Sequence, residues 1–255
     1  MNKMKITKIG NLIQKGQFLL AQKKIQELIN VEPNNLSYRN ILAIIYANQK
    51  KFNDSIIVLK KIIKQSPRFI DAYINLGNIY SNLNQLQNSE DYFKQAALID
   101  PNHVIVLSHL VNLFNKQDKY VEASKIYLRL IKINPNNLEL LNNYSGTLIR
   151  LGKLEKAEKI LKKILTLNSK HIDAIINLGV IYKDKNNFKK AIQNYTLAIK
   201  LQPGNTVANY NLGNVYENQA RLIEGTTQEI EQLKNAIFYY KKAIKNDPTY
   251  AKAYY

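Results

Sequence analysis

The chain has no cysteine, so it forms no disulfide, offers no thiolate nucleophile and holds no cysteine-based zinc site. That fits a reducing compartment, and the expected location is the cytoplasm. No apolar run is long enough to span a bilayer, and residues 1–16 lack the apolar centre of a secretory signal. Glycine is sparse and scattered, which leaves no phosphate-cradling loop of the P-loop type. No nucleophile–base arrangement stands out either. Of the three histidines, His103 and His171 fall in loops, where surface polarity explains them, and a lone His109 lacks companion ligands for a metal. These absences argue against an enzyme in these residues, and no cofactor is expected.

Proline is also scarce, and its placement is informative. All six prolines sit on one lattice. Pro33, Pro67, Pro101 and Pro135 share a constant 34-residue spacing. Pro203 follows after two such periods, with Ser169 at the skipped site, and Pro248 follows after one period with an 11-residue excess. A fixed period of this length marks a stacked repeat protein.

Other residues recur in the same frame. Leu76-Gly77 returns as Leu178-Gly179 and Leu212-Gly213. Tyr80, Tyr182 and Tyr216 follow, with Tyr46 and Phe114 in neighbouring copies. Small residues mark the second half of each period: Ala21, Ser55, Ser89, Ala123, Ala157, Ala191 and Ala236. Four residues beyond each stands a large apolar one: Ile25, Leu59, Phe93, Tyr127, Leu161, Tyr195 and Tyr240. Spacings of three and four on one face read as amphipathic helices, two per period. Proline ends the second because it lacks an N–H and restricts the residue before it.

This pattern of Leu-Gly, Tyr, Ala, an aromatic and a closing Pro resembles the tetratricopeptide repeat family, over nearly the whole chain. The resemblance implies an all-α, right-handed α-solenoid of stacked antiparallel helix pairs, a single array over residues 1–255. Its repeats would span 2–35, 36–69, 70–103, 104–137, 138–171, 172–205 and 206–250, with an 11-residue insertion near 219–235. The family's early Trp is replaced by Arg39, Tyr73, Leu107, Leu141, Ile175 and Asn209. The first copy has a weak first helix. The copy from Leu138 is degenerate, with Tyr144-Ser145 for Leu-Gly, and its packing angle is expected to differ slightly.

Two places are irregular. In the insertion, Gly225 can end a helix, and Thr226 with Glu229 forms a capping box, so lengthened helices are expected rather than a loop. Residues 251–255 read as the first turn of a truncated repeat. Ile237, Tyr240 and Ile244 would then face a neighbour that barely begins, behind Tyr254 and Tyr255, which predicts end-to-end self-association or fraying at that end.

The formal net charge is +18. In the family, first helices line the concave groove and second helices face outward. That mapping puts Asp71, Glu139, Asp173, Asp184 and Glu217 in the groove against Lys116, Arg150 and Lys183. The lysines fall mostly on second helices, as at Lys60, Lys61 and Lys64, at Lys159, Lys162 and Lys163, and at Lys241, Lys242 and Lys245. The groove charge therefore argues against nucleic acid. The basic back reads first as a solvated face, and AT-rich codons alone could raise the lysine count.

The same mapping lines the groove with asparagine. Asn75, Asn143, Asn177 and Asn211 share one position, with His109 and Ile41 in the other two copies; Asn78, Asn112 and Asn214 stand one turn on. An amide carries an acceptor and two donors, so a row of them can pair with the C=O and N–H groups of an extended peptide. Such a ladder resembles that of the tetratricopeptide superhelix of protein O-GlcNAc transferases. The basic clamp that other family members use for acidic C-termini is missing, since Glu139 and Asp173 hold its sites. The expected function is a non-catalytic protein–protein interaction scaffold. One alternative is the substrate-recruiting arm of a larger glycosyltransferase-like enzyme; a weaker one is a nucleic-acid or anionic-surface binder through the basic back.

Overall fold

The computed structural model describes residues 2–250, with side chains from residue 4 onward. The expected beginning of a further repeat at 251–255 lies outside the described residues, as do Tyr254 and Tyr255. The described residues form fourteen α-helices and no strand, and the fold is the all-α repeat class of stacked antiparallel helix pairs. Two compact units divide them, Met1–Lys119 and Tyr120–Tyr255.

Unit 1 holds α1 (Asn2–Gln14), α2 (Phe18–Val31), α3 (Leu36–Asn48), α4 (Phe52–Gln65), α5 (Ile70–Asn82), α6 (Leu86–Ile99) and α7 (Val104–Lys116). Unit 2 holds α8 (Tyr120–Ile133), α9 (Leu138–Arg150), α10 (Leu154–Leu167), α11 (Ile172–Asp184), α12 (Phe188–Leu201), α13 (Thr206–Arg221) and α14 (Thr227–Asn246). Odd-numbered helices are the first of each pair. Within unit 1, α3 touches α5, and within unit 2, α9 touches α11 and α11 touches α13. These first helices form the inner layer.

Regular turns come from a residue at positive φ in the loop inside a pair. Gly16, Lys50, Asn84, Asp118, Gly152 and Asn186 recur on the 34-residue frame with φ between 55° and 71°. Lys50, at φ 62°, has no special aptitude for that region. First helices start on side-chain caps that keep to the same frame. Asn35, His103, Asn137, His171 and Asn205 each accept a backbone N–H from the first turn. His103 and His171 are thus helix caps through Nδ1, a firmer role than loop polarity.

The cores are built from the recurring residues. In unit 1, Ala43, Leu59, Ile62, Ala72, Leu76 and Ile79 pack together; in unit 2, Ala191, Tyr195, Ala198, Ala208, Leu212 and Val215 do. The small second-helix position accepts serine because its hydroxyl is satisfied there: Ser55 Oγ donates to the Ala43 carbonyl and Ser89 Oγ to the Gly77 carbonyl. The weak first helix of the opening copy does form: Ile9 of α1 is buried against Ala21 and Ile25.

The insertion lengthens helices. Relative to other pairs, three residues extend α13, six extend α14 and two enter the loop. Thr226 caps α14, with the Glu229 N–H donating to its Oγ1, while Glu229 Oε2 accepts the Gly225 N–H at 2.7 Å. Tyr240 departs from expectation. Its ring lies against Gly213 of its own pair, so it packs inward on α13 instead of facing a following repeat. Ile237 is exposed.

Candidate functional site

The inner layer of unit 1 contains a polar pocket of about 200 Å³ between α3 and α5. Ala43, Ile44, Ala47 and Ile79 supply its apolar walls, and Asn48, Asn75, Asn78 and Asn82 surround it with amides. Asn75 and Asn78 are among the asparagines expected in the groove; Asn48 and Asn82 are not. They also stand one 34-residue period apart, at the ends of α3 and α5, so periodicity alone could have found them. Asn48 Nδ2 is tied back to the Ile44 carbonyl.

The candidate ladder residues differ in what they are free to do. Asn75 Nδ2 donates to Asn40 Oδ1 at 2.8 Å, and Asn177 Nδ2 donates to Asn142 Oδ1 at 2.9 Å. Asn40 and Asn142 are buried. Each linked amide keeps its second N–H and its own oxygen for another partner. Asn112 and Asn143 are exposed, and Asn78 and Asn211 are half-buried. Asn214 meets the Tyr240 hydroxyl at 2.7 Å, and that hydroxyl also lies 2.6 Å from Glu217 Oε2. Its single proton goes to the carboxylate, which the bond and the nearby Arg221 hold below its usual pKa.

His109 is half-buried. Its imidazole stacks on Phe93 with centroids 4.9 Å apart and planes within 4° of parallel. Burial pushes its pKa down. This histidine is a ring-stacking member of the inner layer.

The glycines explain how second-helix aromatics reach that layer. A Cβ on Gly77 would lie 2.5 Å from Phe93 Cε1; one on Gly179 would lie 2.5 Å from Tyr195 Cε1, and one on Gly213 would lie 2.6 Å from Tyr240 Cε1. Each ring occupies space that any other side chain would fill. Through these gaps Phe93 reaches His109, and Tyr240 reaches Asn214 and Glu217. The Tyr195 hydroxyl is buried without a hydrogen-bond partner, and desolvation raises its pKa.

Two ion pairs stand on the inner layer of unit 2. Lys183 lies 3.3 Å from Asp184, and Arg221 lies 2.6 Å from Glu217. A second polar centre joins α10 and α11. Glu158 binds Lys162 at 2.7 Å and Lys185 at 2.9 Å, and accepts the Tyr182 hydroxyl at 3.2 Å. These donors draw its pKa down to about 2. Glu90 repeats the arrangement in unit 1 with Lys94 and Lys119. Among the described residues no group of three or more metal-ligating side chains converges.

Paired helices on a 34-residue frame, with glycine admitting an aromatic ring in three of the copies, define a tetratricopeptide-type array. Residues 15–242 match the family model described as the coatomer epsilon subunit, and the chain belongs to that family, whose repeats are tetratricopeptide-like. No curated protein matches the sequence. Among solved structures, a tetratricopeptide repeat protein from Parabacteroides merdae is similar, with a TM-score of 0.66 at 14% identity, over 99% of this chain and 95% of that one. YrrB, a TPR protein with an unusual peptide-binding site, gives a TM-score of 0.52 at 20% identity, over 77% of this chain and 95% of that one. Human IFIT1, a dimer with m7Gppp-AAAA, gives 0.55 at 18%, over 96% of this chain and 61% of that one. At such identities the likeness is one of fold.

Proposed function

We propose that the chain is a non-catalytic protein-interaction scaffold whose inner helices hold an extended peptide through side-chain amides. The pocket between α3 and α5 carries this reading. Four asparagines surround it, and Ile44 and Ile79 give an apolar seat for one peptide side chain. Asn75 and Asn78, one turn apart on α5, suit a peptide's C=O and N–H groups, which repeat along an extended strand. Asn143, Asn177, Asn211 and Asn214 supply amides on the inner helices of unit 2, and His109 and Asn112 stand on α7 of unit 1.

The amides are uncharged, so selectivity for ligand charge at the pocket is weak and main-chain contact dominates. A family resemblance to coatomer epsilon and a likeness to YrrB, which has a peptide-binding site, are consistent with a protein or peptide partner. No described helix is long and apolar enough to cross a membrane. With the cysteine-free composition, we place the scaffold in the cytoplasm.

The test begins with a peptide array probed with the full chain. Ligands whose cross-links map to α3 and α5 are then titrated against Asn78→Ala/Asn82→Ala. Two lost hydrogen bonds, at about 0.5–1.5 kcal/mol each, weaken binding on the order of tenfold. Unchanged affinity for such a ligand would remove the pocket from the reading.

A further inference from the structure

The outer helices of unit 2 carry a second surface. On α10, the buried residues are Ala157, Leu161 and Ile164. Lys156, Lys159 and Lys163 lie on the opposite side at spacings of three and four, one stripe of exposed ammonium groups. The repeat frame returns that phase on the next two outer helices. Lys190 matches Lys156 on α12. Lys242 on α14 matches Lys163, while Lys189 and Lys200, matched by Lys234 and Lys245 on α14, stand at the positions of Glu155 and Thr166 and flank that phase. All are exposed. On each helix these side chains lie away from the buried residues, on the outer side of the pair.

On α10, acidic groups do not offset the stripe, while on α14 the exposed Glu231 shares the side of Lys234 and Phe238. Glu158 is taken up by Lys162 and Lys185, and Glu155 lies 3.4 Å from Lys185. Among the described residues, none of Lys156, Lys159 and Lys163 forms an ion pair.

Large apolar side chains share the same phase. Leu197 on α12 stands at the position of Lys163 and is 44% exposed; Phe238 on α14 stands at the position of Lys159 and is 51% exposed. Leu167, at the end of α10, is 58% exposed. The Lys242 ammonium sits 4.4 Å from the Phe238 ring centroid, an aromatic and a cation presented together.

We infer that this face of unit 2 binds the surface of an anionic lipid bilayer. Clustered lysines are attracted by acidic headgroups, and exposed aliphatic and aromatic side chains among them can enter the headgroup boundary. Nucleic acid fits the composition less well. Its phosphates would use the lysines, but exposed leucines gain nothing from a phosphate backbone. No arginine, the side chain that pairs bidentately with phosphate and stacks on bases, stands on α10, α12 or α14. None of these residues belongs to the proposed peptide pocket, which lies in the inner layer of unit 1.

Co-sedimentation of the full chain with vesicles decides the matter. Binding is expected to vesicles of phosphatidylcholine with phosphatidylserine, to fall with added salt, and to be absent with phosphatidylcholine alone. Lys156→Gln/Lys159→Gln/Lys163→Gln should weaken it by about fivefold per lysine, on the order of a hundredfold. Leu197→Ser/Phe238→Ser should remove the part of binding that persists at high salt. All five positions are exposed, and circular dichroism checks that helicity is kept. A control with the same change of net charge, Lys5→Gln/Lys8→Gln/Lys15→Gln on and just after α1, should bind nearly as the parent does. Equal losses in both triple variants would reduce the effect to net charge and overturn the proposal. So would failure to bind acidic vesicles, or tighter binding of a labelled single-stranded RNA with the same lysine dependence.

Discussion

Phe93 lies where a side chain on Gly77 would be, its Cε1 only 2.5 Å from the place of a Cβ. The glycine is the reason that the ring can cross α5 and stack on His109. Phe93 is 2% exposed, so it has no room to retreat.

Gly77→Ala should therefore destabilise unit 1, by about 1–3 kcal/mol, the usual cost of overpacking. Better intrinsic helix propensity offsets up to about 1 kcal/mol of it. Adding Phe93→Leu should recover part of the loss. Urea unfolding of the single and double variants measures both; a Gly77→Ala protein as stable as the parent would contradict the contact.

Asn75 and Asn78 should separate under mutation. Removing the Asn75 amide leaves the buried Asn40 oxygen without its donor, so Asn75→Ala should cost about 1–3 kcal/mol of stability as well as ligand affinity. Asn78 makes no such bond, and Asn78→Ala should change affinity alone. Paired denaturation and binding titrations of the two variants show the difference.

Lys50 occupies the positive-φ site of its turn, where Gly16 and Gly152 stand in other copies. Lys50→Gly should raise stability, by up to about 1 kcal/mol, because the left-handed backbone costs glycine nothing sterically. The same change at Lys51, which has negative φ, should not. A thermal melt of the two variants is sufficient.

Glu158 sets a pH window. Its carboxyl has a pKa of about 2 in the fold against an ordinary 4.5. A depressed folded-state value means that the contribution is full above about pH 4.5 and is lost as pH falls toward 2. Its lysine partners are substantially exposed, so the pairs are worth about 1 kcal/mol or less each. Glu158→Gln should flatten the stability profile in that window, and NMR titration of the carboxyl carbon gives the pKa directly.

The repeats were readable because their signals obey the 34-residue frame. Small residues, large residues four later and prolines all follow it, and helices formed where they fall. The insertion was readable for a different reason: Thr226 and Glu229 are a local signal that needs no neighbour. What escaped involves contacts across the frame. Asn40 and Asn142 bind asparagines 35 residues on, yet the copies between them carry Ile74 and Ser108 at that position, so no recurrence announces the pairing. Judged from its own helix, the face of Tyr240 points outward; the glycine on α13 admits it inward. His103 and His171 share a position with Asn35, Asn137 and Asn205, and only the observed N–H contacts show that all five do one job.

The outer lysines keep to the frame in part: Lys156 recurs as Lys190, and Lys163 as Lys242 with Leu197 between them. A duplicated repeat would therefore add another row of ammonium groups in phase with the last, with its hydrophobic joints already matched to both neighbours. Rows that engage one extended target multiply its affinity, whereas the chemistry of each row stays the same. In a chain of this design, valency is set by gene length, and the strength of adhesion can change in whole-repeat steps without a single new side-chain type.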